Sequence, residues 1–321
     1  MLKKIFLFIP ALLTIIVWGS TFLVSKNVLL SGMHPLTLMC LRFLLAYIIL
    51  CMFSKKSIPF KFDRVGLKQE LLFLLLGLSG GSLYFYLEYT SLKMTSAVNV
   101  GLISATVPII STAISLVLGK VKVGTKYYCG SLFAFLGVFF IVMNGRWCFS
   151  ISIIGDMIAI LSAFLWALYT VILSLFENKY SEILISRRLF FYAFITIIGF
   201  VIYRLEVDEL YVLHEIPILL SVLYLAIFAS ALCILLWNIS INKIGIIKTN
   251  NFLYFMPVVT LLVSLFFAID EISLYSVLGT VLIIAGIYIS DYKSWYVYYV
   301  VIVLFKLVSL SKDNNENIWL Q

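Results

Sequence analysis

The sequence has 321 residues, 63% of them hydrophobic and only 12% charged, and its mean hydropathy is +1.13. A soluble domain is nearer half apolar and about a quarter charged, so a soluble globular protein is excluded and a polytopic membrane protein is expected. The formal net charge of +8 does not point to nucleic acid, because the basic residues lie in short gaps between apolar runs, where membrane topology uses them.

A bilayer core asks for about 20 apolar residues per helix. Ten runs meet or approach this, at roughly 5–29, 35–53, 70–91, 96–118, 128–143, 155–176, 185–203, 217–238, 249–268 and 274–289. The first follows Lys3 and Lys4 as a signal peptide would. It continues to about Leu30 with no small-x-small cleavage site, so a retained helix is expected. The fourth run, from Ser96 to Leu118, carries no charge and has Pro108 near its middle. A proline there has no N–H and leaves the Ser104 carbonyl without its helical partner, so this run belongs against protein or a wet cavity, not bare lipid. The ninth run, Thr249 to Ala268, has Pro257 in the matching place. The cysteines (Cys40, Cys51, Cys129, Cys148 and Cys233) contain no CxxC pair, and four lie within apolar runs. Neither a disulfide framework nor a zinc site is suggested, and no metal or cofactor is expected.

With the N-terminus in the cytoplasm, 18 of the 23 Lys and Arg fall in cytoplasmic gaps. Lys26, Lys93, Arg146 and Arg204 fall outside, and Arg42 lies within a span. This bias predicts a multi-pass protein of the cell (plasma or inner) membrane with both termini cytoplasmic. The outer gap near Arg204 also holds Glu206, Asp208 and Glu209, and is acidic.

The two halves echo each other. Ala11, Thr14 and Trp18 align with Ala159, Ser162 and Trp166 at an offset of 148. Pro108, Gly130 and Gly137 align with Pro257, Gly279 and Gly286 at 149. Each half has an odd number of spans, so the second enters the membrane from the opposite side. The predicted fold class is therefore an all-α polytopic membrane protein of ten transmembrane helices, arranged as two inverted five-helix repeats over 5–143 and 155–290. Secondary transporters use this architecture. A further apolar segment, 295–310, contains Lys306 and is aromatic-rich, which suits a C-terminal helix lying in the interface; an eleventh span is the alternative.

The run from Thr14 to Leu50, with Trp18-Gly19-Ser20-Thr21-Phe22, Lys26, Pro35-Leu36-Thr37 and Leu41-Arg42-Phe43, closely resembles the first repeat of EamA-type transporters of the drug/metabolite transporter superfamily. The segment from Leu87 to Ile110 resembles that family's third-to-fourth helix junction, and Asp270-Glu271 with Gly279 and Gly286 its closing helix. The resemblance covers about residues 5–290. It implies ten helices, two inverted repeats and a central pathway between them. One departure is Lys122, which stands where the second repeat has Glu271.

Ionisable groups inside a membrane are functional candidates by default. Arg42 either lines the pathway or holds an anion, or else pairs inside the first repeat and fixes helix packing. Lys26 either attracts an anionic solute group or snorkels to the outer headgroups. Glu88 shares a helix face with Tyr84 and is the candidate for ion coupling; an interfacial carboxylate in water is the alternative. Glu271 is read as a helix cap. The expected solute-binding set is Trp18, Tyr84, Tyr86, Asn99, Trp166, Trp237, Asn238, Asn250 and Tyr254, because aromatic walls with a few amides suit a small zwitterionic or amphipathic solute. Pro108 and Pro257 are the expected flexing points. The paired glycines suit close helix packing and not a phosphate loop.

The function this supports is a secondary transporter, exporting a small metabolite such as an amino acid by alternating access, with proton coupling as one option. A membrane enzyme acting on lipids or lipid-linked sugars and a non-transporting membrane subunit are the alternatives. Against the first, there is no HExxH, paired-carboxylate or Ser–His–Asp set. The expected partners are a small-molecule substrate and membrane lipid, with a homo-oligomer left open and no nucleic acid.

Overall fold

The computed structural model describes residues 6–53, 65–95, 97–143, 145, 152–176, 179–204, 208–266 and 273–290. The segment 295–310 and Glu271 lie outside these residues, as does the side chain of Lys26. Among the described residues the chain is helical, with no strand. Seven helical stretches are long and apolar enough to cross a membrane, and three shorter apolar helices cover Ile9–Thr21, Ile246–Leu262 and Leu274–Ser290.

The first half comprises α1 (Ile9–Leu30), α2 (Pro35–Met52), α3 (Leu67–Gly77), α4 (Leu83–Met94), α5 (Ala97–Ser104), α6 (Val107–Val117) and α7 (Thr125–Met143). The second comprises α8 (Ile153–Leu173), α9 (Glu182–Arg204), α10 (Asp208–Tyr211), α11 (Ile216–Tyr224), α12 (Cys233–Ile244), α13 (Ile246–Asn251), α14 (Met256–Phe266) and α15 (Leu274–Ser290). Local chemistry sets several starts. Pro10 and Pro35 open α1 and α2, where a missing N–H is no loss. The His34 Nδ1 accepts the Leu36 N–H at 3.2 Å, and the Ser152 hydroxyl accepts that of Gly155 at 3.3 Å. Gly245, with φ of 83°, lets α12 turn directly into α13.

Both proline runs are interrupted just before the proline. The first stops at Ser104 and restarts at Val107. The second tightens into a 3-10 turn at Phe252–Phe255 before α14. The missing N–H of Pro108 and Pro257 removes one rung of the ladder, and the chain relaxes upstream of it. A second pair of irregularities lies outside the sequence expectations. The spans predicted at 70–91 and 217–238 each contain a π-helical segment, Leu78–Ser82 between α3 and α4 and Leu225–Leu232 between α11 and α12.

The halves are interleaved. Helix α1 packs on α12 and α14 of the second half, while α8 packs on α4, α5 and α6 of the first. Helix α2 lies on α9, and α7 lies antiparallel on α15. The last contact is glycine on glycine: a Cβ on Gly130 would meet the Gly286 carbonyl at 2.4 Å, and one on Gly286 the Gly130 carbonyl at 2.5 Å. The outward faces expose Leu132 and Phe133 on α7, Phe200 and Ile202 on α9 and Val281 on α15, which suits lipid tails. Trp237, Tyr169, Tyr254, Phe252 and Phe255 are fully buried at the centre.

Candidate functional site

Three tryptophans from three helices meet at the centre. The Trp18 ring on α1 lies 5.3 Å from that of Trp166 on α8 and 5.1 Å from that of Trp237 on α12. Tyr84 on α4 adds a fourth wall, 4.8 Å from Trp166. Trp18 donates its Nε1–H to the Ala229 carbonyl at 2.9 Å. Ala229 belongs to the second π segment, where a widened turn frees carbonyls that an α-helix would occupy. The irregular backbone thus anchors a wall of the site.

Beside the tryptophans runs a polar line. Tyr169, three residues after Trp166 on α8, donates to Asn238 Oδ1 at 2.6 Å, and Asn238 donates to the Ser186 hydroxyl at 2.8 Å. Its ring, 5.0 Å from that of Trp166, lies against Gly80 of the first π segment, where a Cβ would come within 2.4 Å of it. One turn on from Trp166, Thr170 accepts from Asn250 Nδ2 at 3.3 Å, and Asn250 also donates to the Ser111 hydroxyl at 2.6 Å. Asn250 therefore ties α13 to α6 and α8, the two interrupted runs to the tryptophan helix.

Several polar atoms here are buried with no hydrogen-bond partner among the described residues: Trp166 Nε1, Trp237 Nε1, Asn250 Oδ1 and both amide atoms of Asn251. The Tyr254 hydroxyl lies instead beside Tyr127 and Ser131 of α7, and among the described residues no ring contact joins Tyr254 to the tryptophans. Leaving a buried donor or acceptor unpaired costs roughly 1–3 kcal/mol, so a cluster of them marks a place where a partner is accommodated. Donors and acceptors stand together with aromatic faces, which suits a small solute with both polar and apolar parts. A cleft beside this line is bounded by Asn238, Asn242, Glu182, Ile185, Phe176 and Ser174. Asn238 belongs to both; the cleft is small, lies at the α8–α9 and α12–α13 connections and is lined by no tryptophan.

Glu88 is buried and accepts from the Tyr84 hydroxyl at 2.7 Å, so it is not an interfacial carboxylate. Arg42 is also buried, and it reaches across the halves: Nη1 donates to the Tyr89 hydroxyl at 2.8 Å and Nε to the Ser230 hydroxyl of the second π segment at 3.2 Å.

Two further expected members stand apart. Tyr86 is 45% exposed, because two residues along a helix from Tyr84 is most of the way to the opposite face. Asn99 donates to Asp156 at 3.2 Å and to Thr95 at 3.2 Å, joining the start of α5 to the start of α8, away from the tryptophans. Residues not anticipated are Tyr169, Thr170 and the π segments. The i+3 and i+4 spacing from Trp166 was a usable signal for the first two, and the run Ser79-Gly80-Gly81-Ser82 for the first π segment; the second had none.

The same architecture occurs in a solved crystal structure that superposes with a TM-score of 0.70 over 89% of this chain and 96% of that one, at 15% identity. An uncharacterised transporter of Archaeoglobus fulgidus is 27% identical over 288 residues, 88% of this chain and 96% of the relative. An uncharacterised transporter of Bacillus subtilis is 30% identical over 230 residues, 68% of this chain and 72% of its own. A probable amino-acid metabolite efflux pump of Escherichia coli is 25% identical over 297 residues, 87% of this chain and 93% of the pump. The EamA-like transporter family model matches twice, over residues 5–143 and 153–290. With two matches that span nearly all of the described helices, and a central site walled by helices from both, this multi-pass membrane chain belongs to the EamA-like transporter family.

Proposed function

We propose that this transporter is a secondary exporter of a small metabolite such as an amino acid, working by alternating access in the cell membrane with both termini in the cytoplasm. Two inverted five-helix units, 5–143 and 155–290, rock about the tryptophan site, and the interrupted runs at Pro108 and Pro257 flex. The reciprocal packing supports this arrangement: α7 on α15, α2 on α9, and α1 and α8 each lodged in the opposite half. A two-fold relation in the membrane plane produces such exchanged contacts.

The observation that carries the solute site is the group of buried, unpartnered atoms around Trp166, Trp237, Asn250 and Asn251. The rings of Trp18, Tyr84, Trp166 and Trp237 take the apolar part of the solute, and the amides of Asn238 and Asn250 its polar part. The name of the Escherichia coli relative favours an amino acid. Glu88, held by Tyr84 against the tryptophans, exchanges the coupling proton.

Purified protein in sealed liposomes, offered a panel of amino acids under an imposed pH gradient, tests the reading. It predicts accumulation of at least one amino acid that a protonophore collapses. Flux no greater than through empty liposomes, for every solute offered, would refute transport by this chain alone. Tags in the gaps before Gly155 and after Phe176 test the inversion, and labelling of both from one side of the membrane would end it.

A further inference from the structure

Arg42 differs from the other buried or half-buried arginines with assigned partners. Arg188 has Glu70 at 3.0 Å and Arg204 has Glu209 at 2.9 Å. Arg42 is only 4% exposed, yet among the described residues no carboxylate lies within 4.0 Å of it. Its partners are the hydroxyls of Tyr89 and Ser230 and the face of Phe85, 4.9 Å from the guanidinium carbon. The buried carboxylate of Glu88, which accepts from the Tyr84 hydroxyl, lies close enough for its charge and that of Arg42 to act on each other without direct contact. A guanidinium has five N–H donors. The structure uses Nε and Nη1 and gives Nη2 no hydrogen bond among the described residues. Arg42 thus has donors to spare and, among the described residues, no carboxylate in direct contact, so an anion that reached it would be held strongly.

Its position relates it to the tryptophan site twice. Ser230 follows Ala229, the acceptor for Trp18. Phe85 follows Tyr84, the ring against Trp166. Arg42 is therefore held between the second π segment and α4, the two segments that also supply Ala229 and Tyr84 to the aromatic cluster, with Nη2 given no hydrogen bond among the described residues. A carboxylate accepts such a fork in two parallel hydrogen bonds, which no neutral acceptor matches.

We propose that Arg42 binds the carboxylate of the transported solute, so that the substrates are organic carboxylates with an apolar body, which the tryptophans and Tyr84 enclose. Tyr89 and Ser230 are positioning residues that aim the fork. This rests on the transport reading above, and it adds a chemical class to it.

Matched pairs that differ only by the carboxylate test the assignment: phenylalanine with phenethylamine, leucine with isoamylamine, and lysine with cadaverine. In liposomes the wild-type protein takes up at least one amino acid in preference to its amine. Arg42→Gln lowers that uptake at least tenfold, and Arg42→Lys, which keeps the charge but not the fork, lowers it less. The ratio of amino acid to amine falls toward one in Arg42→Gln, whereas a merely structural arginine would depress both members of a pair alike. Should the variants fail to fold, the wild-type protein alone decides: in detergent its Tm rises with phenylalanine and 3-phenylpropionate and not with phenethylamine. Equal response to amine and carboxylate, equal loss of both in Arg42→Gln, or no response to any carboxylate overturns the proposal. Uptake of amines without carboxylates removes the role of Arg42 and leaves transport standing; absence of all flux removes transport itself.

Discussion

Gly137 and Gly279 face each other across α7 and α15 so closely that a Cβ on either would lie 2.5 Å from the other's carbonyl oxygen. The nearest atom in each case is backbone, with Ile283 and Ile141 side chains close behind, so a Cβ cannot be accommodated without separating the helices. Gly137→Ala and Gly279→Ala should each destabilise the protein by about 1–3 kcal/mol, the usual range for overpacking. Gly199→Ala on α9, where a Cβ meets nothing within 4 Å, should be neutral or stabilising by up to about 1 kcal/mol from helix propensity. Thermal melts of the three variants in one detergent separate the cases. Equal Tm values for all three would mean that the α7–α15 contact is not close-packed in solution.

The two buried indoles give a prediction of mixed sign. Trp237→Phe and Trp166→Phe keep an aromatic wall and delete a donor that has no partner among the described residues. Removing an unpaired buried donor relieves a penalty of roughly 1–3 kcal/mol, offset in part by the smaller ring. The solute-free variants should therefore melt near the wild-type temperature, while uptake shows a KM raised about tenfold. A large fall in Tm with unchanged KM would make these indoles core residues and not solute contacts.

Pro257→Ala restores an N–H where the ninth run is interrupted, between the 3-10 turn Phe252–Phe255 and α14. A continuous helix is then available, and it is stiffer. Membrane insertion and yield should be unchanged, with transport lowered several-fold. Full transport in the variant would remove the flexing role.

These features differ in how far the chain alone exposes them. Pro108 and Pro257, Trp18 and Trp166, and the four glycines are legible because each occurs twice at a near-constant offset, and each acts through one property: a missing N–H, a large ring, a missing Cβ. Tyr169 was overlooked because it has no matching partner in the first half and reads as one more aromatic in an apolar run. The first π segment is marked by the run Ser79-Gly80-Gly81-Ser82, where Gly81 leaves helical angles, while the second carries no such mark and arises from packing. Gly80 and Gly81 lie against Tyr169 and Ala193 of other helices, and the Ser230 hydroxyl bonds back to the Leu225 carbonyl at 2.9 Å, five residues away. The partners of Arg42 were hidden for the same reason, because Ser230 is 188 residues distant and only the folded chain brings it near.

Glu209, in the connection between α9 and α11, links three elements: it accepts from the Thr37 hydroxyl at 2.7 Å and pairs with Arg204 at 2.9 Å. Burial alone would raise its carboxyl, but the Thr37 hydroxyl and the Arg204 guanidinium outweigh that and hold it below the ordinary value of 4.5. A depressed carboxylate stabilises the fold fully above its unfolded pKa and loses that contribution as pH falls through the folded one. Glu209→Gln should therefore melt slightly below the wild type at pH 7, by an amount typical of a partly exposed pair, roughly 0.2–1 kcal/mol. The difference should shrink below about pH 4.5 and vanish in stronger acid. A gap that is constant from pH 7 down to pH 3 would show that the carboxylate charge contributes nothing.

Glu88 offers the sharpest separation of binding from coupling. It is buried on α4, and among the described residues the hydrogen bond to its carboxylate comes from Tyr84, whose ring lies against Trp166. Any change of charge on Glu88 is therefore transmitted to a wall of the solute site through one hydroxyl. Glu88→Gln keeps an acceptor for Tyr84 and removes the exchangeable proton, so solute binding should persist while the link to the proton gradient is cut. In liposomes the variant should still equilibrate labelled solute against unlabelled solute at equal concentration, within about threefold of the wild-type rate. It should no longer accumulate solute under a pH gradient. Tyr84→Phe removes the hydroxyl instead, and should slow both modes because the wall and the carboxylate lose each other. If Glu88→Gln accumulates solute as the wild type does, the driving proton is carried by another group, and the Tyr84–Glu88 pair is a structural element of α4.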